Sequence, residues 1–173
     1  MLSVGMVFGA MLTAVTAFTG ENGSVADAGF PYGAMGVGSA ITALATVALP
    51  RRFWLPWRWV AGAAIVLGGA LLLPLVHSVP GLLITMFVVG LGIGPALVSI
   101  FAVASYTSPS DRVAVVMTLM SSGIVAGTAV SGPVAGALAD PAGYSQAFWV
   151  VAGAATLILI SGIWTSKIVP RPE

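Results

Sequence analysis

The side chains able to do chemistry are few in this sequence. Its 173 residues include one histidine, no cysteine, six Lys and Arg, and five Asp and Glu. A serine hydrolase pair could join His77 to Ser39, which lies within Gly36-Val37-Gly38-Ser39-Ala40. Ser39 falls near the middle of one predicted helix and His77 at the end of another. We therefore expect the two side chains to lie too far apart for nucleophilic catalysis.

A glycine-rich run, Gly90-Leu91-Gly92-Ile93-Gly94-Pro95, is the other candidate for chemistry. Phosphate-binding loops of this kind join a strand to a helix in water. This run instead lies inside a long stretch without charged residues, from 59 to 110. The sequence also lacks the ligand spacing typical of a metal site. We predict that the protein is not an enzyme and has no metal and no cofactor.

The composition indicates that lipid covers most of the surface. Hydrophobic residues make up 58% of the chain and charged residues 6%, whereas roughly a quarter of the residues in soluble domains are charged. The net charge of +1 gives no basic field that would attract nucleic acid. The sequence therefore predicts a membrane protein whose first partner is the lipid bilayer and which does not bind nucleic acid.

Charge-free runs give the number of membrane spans, because a helix needs about 20 apolar residues to cross the bilayer core. The run from 59 to 110 would form a helix of roughly 78 Å, which is too long for one span. Pro and Gly in His77-Ser78-Val79-Pro80-Gly81 favour a turn there. We predict an all-α fold with one transmembrane domain over 1–173 and helices at about 2–18, 29–49, 59–76, 81–105, 113–138 and 145–166.

The distribution of charge predicts the orientation of these six helices. With six spans, every Lys and Arg falls on one side of the membrane: Arg51, Arg52, Arg58, Arg112, Lys167 and Arg171. The opposite side holds Glu21, Asp27, His77 and Asp140. Cytoplasmic loops are enriched in Lys and Arg. We therefore predict that both termini are cytoplasmic in a multi-pass protein of the cell membrane.

Aromatic residues are expected to act as interfacial anchors, because Trp and Tyr favour the level of the lipid headgroups. The expected anchors on the basic side are Phe53, Trp54, Trp57, Trp59, Tyr106 and Trp164. Those expected near the opposite face are Phe30, Tyr32, Tyr144 and Trp149.

Small residues recur at four-residue spacing, which allows helices to approach closely in lipid. The fifth helix carries one such stripe, Gly123, Gly127, Ser131 and Ala135, with Gly132, Pro133 and Gly136 beside it. The second helix carries Ala34, Gly38 and Thr42. We expect these faces to pack against other helices, either within the chain or in a partner.

The fourth helix is predicted to bend near the middle of the membrane. Pro95 removes a backbone donor, and Gly92 and Gly94 lower the cost of bending. Bent helices at the midplane are where carriers often place substrate, although tight packing would equally explain these residues. Helices two and five are both glycine-rich and both lead into a proline-containing segment, at Pro50 and Pro141. This similarity favours two three-helix inverted repeats.

The chain resembles the C-terminal six-helix half of a bacterial major facilitator superfamily transporter of the efflux type. The similarity covers essentially the whole chain and is most specific in three segments. These are Gly90-Leu91-Gly92-Ile93-Gly94-Pro95, Ser108-Pro109-Ser110-Asp111-Arg112, and Gly132-Pro133-Val134-Ala135-Gly136-Ala137-Leu138-Ala139-Asp140 with Gly143 and Phe148. Arg51 and Arg52 match the basic part of the family's loop between its eighth and ninth helices.

The resemblance implies twelve helices around a central cavity, with half of them outside this chain. It also implies that proton-coupling carboxylates lie in the other half. Met1 opens directly on a helix, which favours a fragment or a half that pairs with an N-terminal half or with a second copy of itself. If the family pattern applies, the cavity is lined by Phe8, Met11, Met35, Ser39, Ile93, Met117 and Ser121. Met and Phe suit varied lipophilic substrates.

Two functions follow from this reading. The first is transport of a small molecule, as half of a secondary transporter that exports drugs or sugars by antiport. The alternative is a non-transporting assembly subunit that binds other helices through the stripe from Gly123 to Ala135.

Overall fold

A computed structural model of the chain describes residues 1–48 and 55–168. These form six α-helices: α1 (Leu2–Asn22), α2 (Gly29–Ala48), α3 (Leu55–Leu72), α4 (Val79–Thr107), α5 (Val113–Ala142) and α6 (Tyr144–Ile168). No strand is present in these two ranges. The predicted all-α class with six helices is confirmed. Pro50, Arg51, Arg52, Phe53, Trp54 and Arg171 lie outside the described residues, as do the side chains of Asp140 and Pro141.

Local chemistry explains why several helices extend beyond their predicted ends. α1 continues to Asn22, whose Nδ2 donates to the carbonyl of Phe18 at 3.0 Å. α4 begins before Pro80, because proline is tolerated in the first helical turn. Its N-cap is Ser78, whose hydroxyl accepts from the Gly81 amide at 3.3 Å. α5 ends at Ala142, and the next residue, Gly143, has a φ of 79° that favours glycine.

Five of the six helices are long and apolar enough to cross a membrane. The remaining helix, α2, contains four glycines and a proline. Large apolar side chains are exposed on the outer faces, as expected for contact with lipid rather than water. The most exposed of them include Leu44, Ile84, Leu119 and Val125. The chain is thus a multi-pass membrane protein.

The direction of each helix follows from which residues meet. Gly5 of α1 lies against Ile124 of α5, and further along α1 Gly9 lies against Thr128. Both residue numbers increase together, so α1 and α5 run parallel. We call this contact the α1–α5 seam.

A second parallel pair consists of α2 and α4. Met35 lies against Gly90, and Ser39, one turn further along, lies against Gly94. We call this contact the α2–α4 seam. By contrast, α3 is antiparallel to α4, because Gly62 lies against Ala96 while Gly69 lies against Val89. Each of these directions is the one expected if successive helices cross in alternating directions.

The helices form an open row, with α5 and α2 at its two ends. α5 packs on α1, α1 on α6, α6 on α3, α3 on α4, and α4 on α2. In the described part of the chain, α2 packs extensively on no helix other than α4. α5 packs mainly on α1, less extensively on α6, and slightly on α4. The row therefore leaves α2 and α5 with most of their surface uncovered by this chain.

Aromatic residues divide between anchors and core. Trp57, Tyr106, Trp149, Trp164 and Phe30 are more than half exposed, as expected for interfacial anchors. The prediction was wrong for Trp59, which is 9% exposed and packs against Gly162 of α6. The ring of Tyr144 stacks edge to face with Phe18, with centroids 4.8 Å apart. Trp59 and Tyr144 therefore join helices inside the bundle.

Candidate functional site

The uncovered surface between α2 and α5 is the strongest candidate for a functional site. We call it the open face and define it by Phe8 and Leu12 of α1, Ser39 of α2 and Leu97 of α4. Leu12 is 52% exposed although it lies near the middle of α1, and Phe8, Ser39 and Leu97 are half-buried. The open face thus runs along α1 and α4, which are each second from an end of the row, and is flanked by α2.

A tyrosine connects α2 to α1 beside this surface. The hydroxyl of Tyr32 donates to the backbone carbonyl of Phe8 at 3.4 Å, which places this side of α2 towards α1. Ser39 is seven residues further along α2, and seven residues at 100° each return to nearly the same face. Ser39 therefore lies on the side of α2 that borders the open face.

The seven predicted cavity residues fall into two groups in this structure. Phe8, Ser39 and Met117 are half-buried and Ser121 is exposed. The other three are enclosed by helices of this chain: Met11 is 0% exposed, Met35 6% and Ile93 5%. Only the first group has surface available to a molecule beside the bundle.

Two of the predicted residues meet at the junction of α1 and α4. Phe8 and Ile93 line a cavity of about 10 Å³, together with Leu97. The sequence did not point to Leu97, because a single leucine in an apolar helix does not indicate which other helices it will contact. The signal that could have found it was its spacing of four residues from Ile93, which places both on adjoining faces of α4.

The glycines of the fourth helix pack tightly against two neighbouring helices. A Cβ on Gly94 would clash with the backbone of Ser39 in α2, and one on Gly92 would clash with the backbone of Gly62 in α3. α4 is a continuous helix with Pro95 inside it. The packing interpretation of these glycines is therefore supported, while the hinge remains a prediction.

The stripe on the fifth helix is occupied by the chain itself. Gly127, Ser131 and Ala135 are buried, and a Cβ on Gly127 would clash with the carbonyl of Leu2 in α1. Gly123 lies beside Met1, and the carbonyl of Gly132 accepts a hydrogen bond from the hydroxyl of Thr13. Since α1 covers this stripe, it is not available to other proteins, and the assembly-subunit alternative is not favoured. Pro133, by contrast, is exposed.

The structure also keeps apart the two residues of the hydrolase alternative. The backbone of Ser39 lies against Gly94, which is fifteen residues into α4, or roughly 22 Å from its start. His77 is exposed and precedes that start. Within the described ranges, no three His, Asp or Glu side chains are grouped so as to hold a metal ion.

Charged residues lie at the helix ends, with one difference from the prediction. Glu21, Asp27 and His77 are at one end of the bundle, and Arg112 and Lys167 at the other. Arg58 was expected in a loop, but it belongs to the first turn of α3, which includes Pro56. Proline fits a first helical turn because its missing amide is not needed there. An arginine therefore enters a membrane span on the basic side.

Comparison with known proteins agrees with the helical architecture. The model of the Major Facilitator Superfamily, a family of membrane transporters, matches residues 1–173. No curated protein and no solved structure matches the chain. The family match covers every helix described above, including the glycine-rich segments of both seams. The chain therefore belongs to the Major Facilitator Superfamily.

Proposed function

We propose that this chain is the C-terminal half of a bacterial secondary transporter of the efflux type. In this proposal it pairs with an N-terminal half, or with a second copy of itself, and substrate binds between the two halves. Transport is an antiport driven by protons, and the proton-binding carboxylates lie in the other half. The substrate is a drug-like or sugar-like small molecule, and the membrane is the cell membrane.

The uncovered surface of α5 is the observation that carries this proposal. In an 18-residue apolar window of α5 only 6% of the residues are buried, compared with 56% in the corresponding window of α1. A helix that packs through one narrow stripe has ample surface for a second protein body. The open face lies beside it, so a partner resting on α2 and α5 would enclose Phe8, Ser39 and Leu97 in a cavity.

The pairing of helices supports the proposed inverted repeat. α1 packs on α5 in parallel, and α4 packs on α2 in parallel. If α1, α2 and α3 are exchanged in order with α4, α5 and α6, the contact between α1 and α5 becomes the contact between α4 and α2. The same exchange converts the contact between α3 and α4 into the contact between α6 and α1, which is also present. Such a relation is typical of repeats built around an axis in the membrane plane.

The proposed orientation places both termini in the cytoplasm. The basic residues Arg58, Arg112 and Lys167 lie at the end of the bundle where α1 begins and α6 ends. Because cytoplasmic loops are enriched in Lys and Arg, we assign that end to the cytoplasm. Single cysteines are a direct test, since the chain has none of its own. A cysteine at Ser24 should react with an impermeant thiol reagent outside the cell, whereas one at Ser110 should not. The reverse pattern would overturn the orientation.

Cross-linking in membranes tests the proposed partner. Ser121→Cys, on exposed α5, should form a discrete cross-linked species, whereas Ser161→Cys, on the exposed side of α6, should not. A species with twice the mass of the chain would identify a second copy, and any other discrete mass would identify a separate half. If Ser121→Cys gives no species, or if both variants cross-link equally, the pairing of halves is wrong.

Transport itself is tested at Ser39. Ser39→Trp should lower efflux of a lipophilic cationic dye from cells by roughly tenfold, because the ring would fill the proposed cavity. Ile41→Trp is the matched control, since Ile41 is 52% exposed and lies about 160° around the same helix. Both variants should accumulate in the membrane like the wild type. Equal efflux by the two variants would contradict a substrate site on the open face.

A further inference from the structure

A groove on the outside of the bundle is not used by the proposed transport mechanism. It lies between α2 and α3, which diverge from each other while both pack on α4. Its volume is about 570 Å³, and its lining includes Thr46 of α2, Arg58, Ala61 and Ile65 of α3, and Pro95 of α4. A groove of this size can hold a substantial part of a small amphipathic molecule.

The groove and the open face lie on opposite sides of α4. Ile93 points to the interior, where it shares a small cavity with Phe8 and Val4 of α1. Pro95 is two residues further along, which places it about 160° around the helix from Ile93. A partner half on the open face would therefore leave the groove uncovered. The lipid bilayer is what this side of the protein meets.

The wall of the groove is apolar along most of its length. Ala61 and Ile65 are one turn apart on α3, and both are exposed. They face Pro95, which has no amide hydrogen to offer. Hydrocarbon is the chemistry that such a wall accommodates, because it offers an incoming group almost no hydrogen-bonding partner.

One end of the groove is basic. The Nη1 atom of Arg58 donates to the backbone carbonyl of Thr46 at 3.1 Å. This bond holds the guanidinium at the end of the groove that lies near the end of α2 and the start of α3. Trp57 beside it is 56% exposed, as expected for a residue at the headgroup level. The sequence places two further arginines, Arg51 and Arg52, shortly before Arg58, and it has no Asp or Glu between Asp27 and Asp111. Positive charge therefore predominates in this part of the chain.

We propose that this groove binds an anionic phospholipid of the bilayer. An acyl chain lies along Ala61, Ile65 and Pro95, and the phosphate is held at the level of Arg58 and Trp57. Basic pockets between helices on the cytoplasmic side are typical sites for acidic headgroups. Arginine suits phosphate because its planar group presents several donors. The proposal rests on the membrane orientation assigned above, since it requires the basic end to lie at a headgroup layer.

Binding of defined lipids to the purified protein tests this site. The protein in nonionic detergent is titrated with phosphatidylglycerol or with phosphatidylcholine, and the bound lipid is counted by native mass spectrometry. Phosphatidylglycerol should bind at least about fivefold more tightly, which corresponds to about 1 kcal/mol for one arginine. Equal affinity for the two lipids would overturn the proposal, as would displacement of the lipid by inorganic phosphate at the same concentration.

Two pairs of variants locate the site. Arg58→Gln should lose the preference for phosphatidylglycerol, whereas Arg112→Gln should keep it, because Arg112 is exposed at the same end with Asp111 3.7 Å away. Ala61→Phe should weaken binding of both lipids by filling the groove. Ala64→Phe should not, because Ala64 is exposed but does not line the groove. If Ala61→Phe and Ala64→Phe bind lipid equally, the groove is not the site.

These measurements can be read independently of transport. They need neither an orientation in a membrane nor a partner half, so a failed efflux assay leaves their outcome unchanged. If Arg58→Gln fails to fold, because Arg58 also joins α3 to α2, the alanine pair still decides the question.

Discussion

The α1–α5 seam and the α2–α4 seam solve the same packing problem with different chemistry. In both, two parallel helices approach so closely that glycine meets backbone. Gly127 lies against the carbonyl of Leu2 in the first seam, and Gly90 against the carbonyl of Met35 in the second. Close approach of this kind is a main source of helix association in lipid, where hydrophobic burial contributes little.

The two seams differ in their hydrogen bonds. Across the α1–α5 seam, Thr128 Oγ1 lies 3.1 Å from the carbonyl of Gly5, and Thr13 Oγ1 lies 3.3 Å from that of Gly132. In the α2–α4 seam, the hydroxyl of Thr42 bonds to carbonyls of its own helix, at Gly38 and Ser39. Each of these hydroxyls also reaches a carbonyl of its own helix, Ile124 for Thr128 at 2.9 Å and Gly9 for Thr13 at 3.3 Å, so its single proton is shared between two acceptors. The first seam therefore adds shared directional bonds to close packing. The second depends on shape, and α4 carries a proline beside it.

The largest expected effect is a loss of folding when the glycines of the seams are replaced. Gly90→Leu should destabilise the protein by about 3 kcal/mol or more, because a side chain there meets backbone that cannot move aside. Gly127→Leu should cost somewhat less, since α5 also packs on α6. The measurement is thermal unfolding of the purified protein in detergent.

Gly36→Leu provides the control for these two variants. Gly36 is on the exposed side of α2 and has no neighbour near its Cβ position, so the change should alter stability by no more than about 0.5 kcal/mol. A Gly90→Leu protein as stable as Gly36→Leu would show that the α2–α4 seam does not depend on close approach.

A smaller effect is expected at Pro95, where the helix lacks one backbone hydrogen bond. Pro95→Ala restores a donor for the carbonyl of Leu91 and should stabilise the protein by about 1 kcal/mol. If the predicted hinge exists, dye efflux should fall at the same time, because a straighter α4 moves less. Pro80→Ala should change neither quantity, since Pro80 occupies the first turn. Increased efflux by Pro95→Ala would contradict the hinge.

The smallest effect distinguishes the hydrogen bonds of the two seams. Thr128→Val removes a hydroxyl that reaches across the α1–α5 seam and should cost about 0.6 kcal/mol. Thr42→Val removes a hydroxyl that bonds within its own helix and should cost less than half as much. Thermal unfolding of the two variants side by side measures the difference. Equal losses would mean that both seams are held in the same way.

Much of the fold follows from the sequence because the bilayer imposes simple constraints. Charge-free stretches of suitable length had to become helices, since lipid satisfies no backbone hydrogen bond. The turn at His77 to Gly81 was visible because Pro and Gly interrupt the apolar run. The stripe containing Gly127 also indicated a packed face. Periodicity alone could not name the helix that would cover it.

Tertiary structure decided which surfaces are covered and which remain open. Met11, Met35 and Ile93 resemble Phe8 and Met117 in sequence, yet the first three are enclosed and the others are not, because enclosure depends on neighbours from distant parts of the chain. The same holds for the groove at Arg58, which exists only because α2 and α3 diverge over Pro95. Sequence by itself determined that six helices form and that they lie in lipid. The order in which they pack, which creates both the open face and the groove, came from contacts between residues as far apart in sequence as Gly5 and Thr128, which are separated by 123 positions.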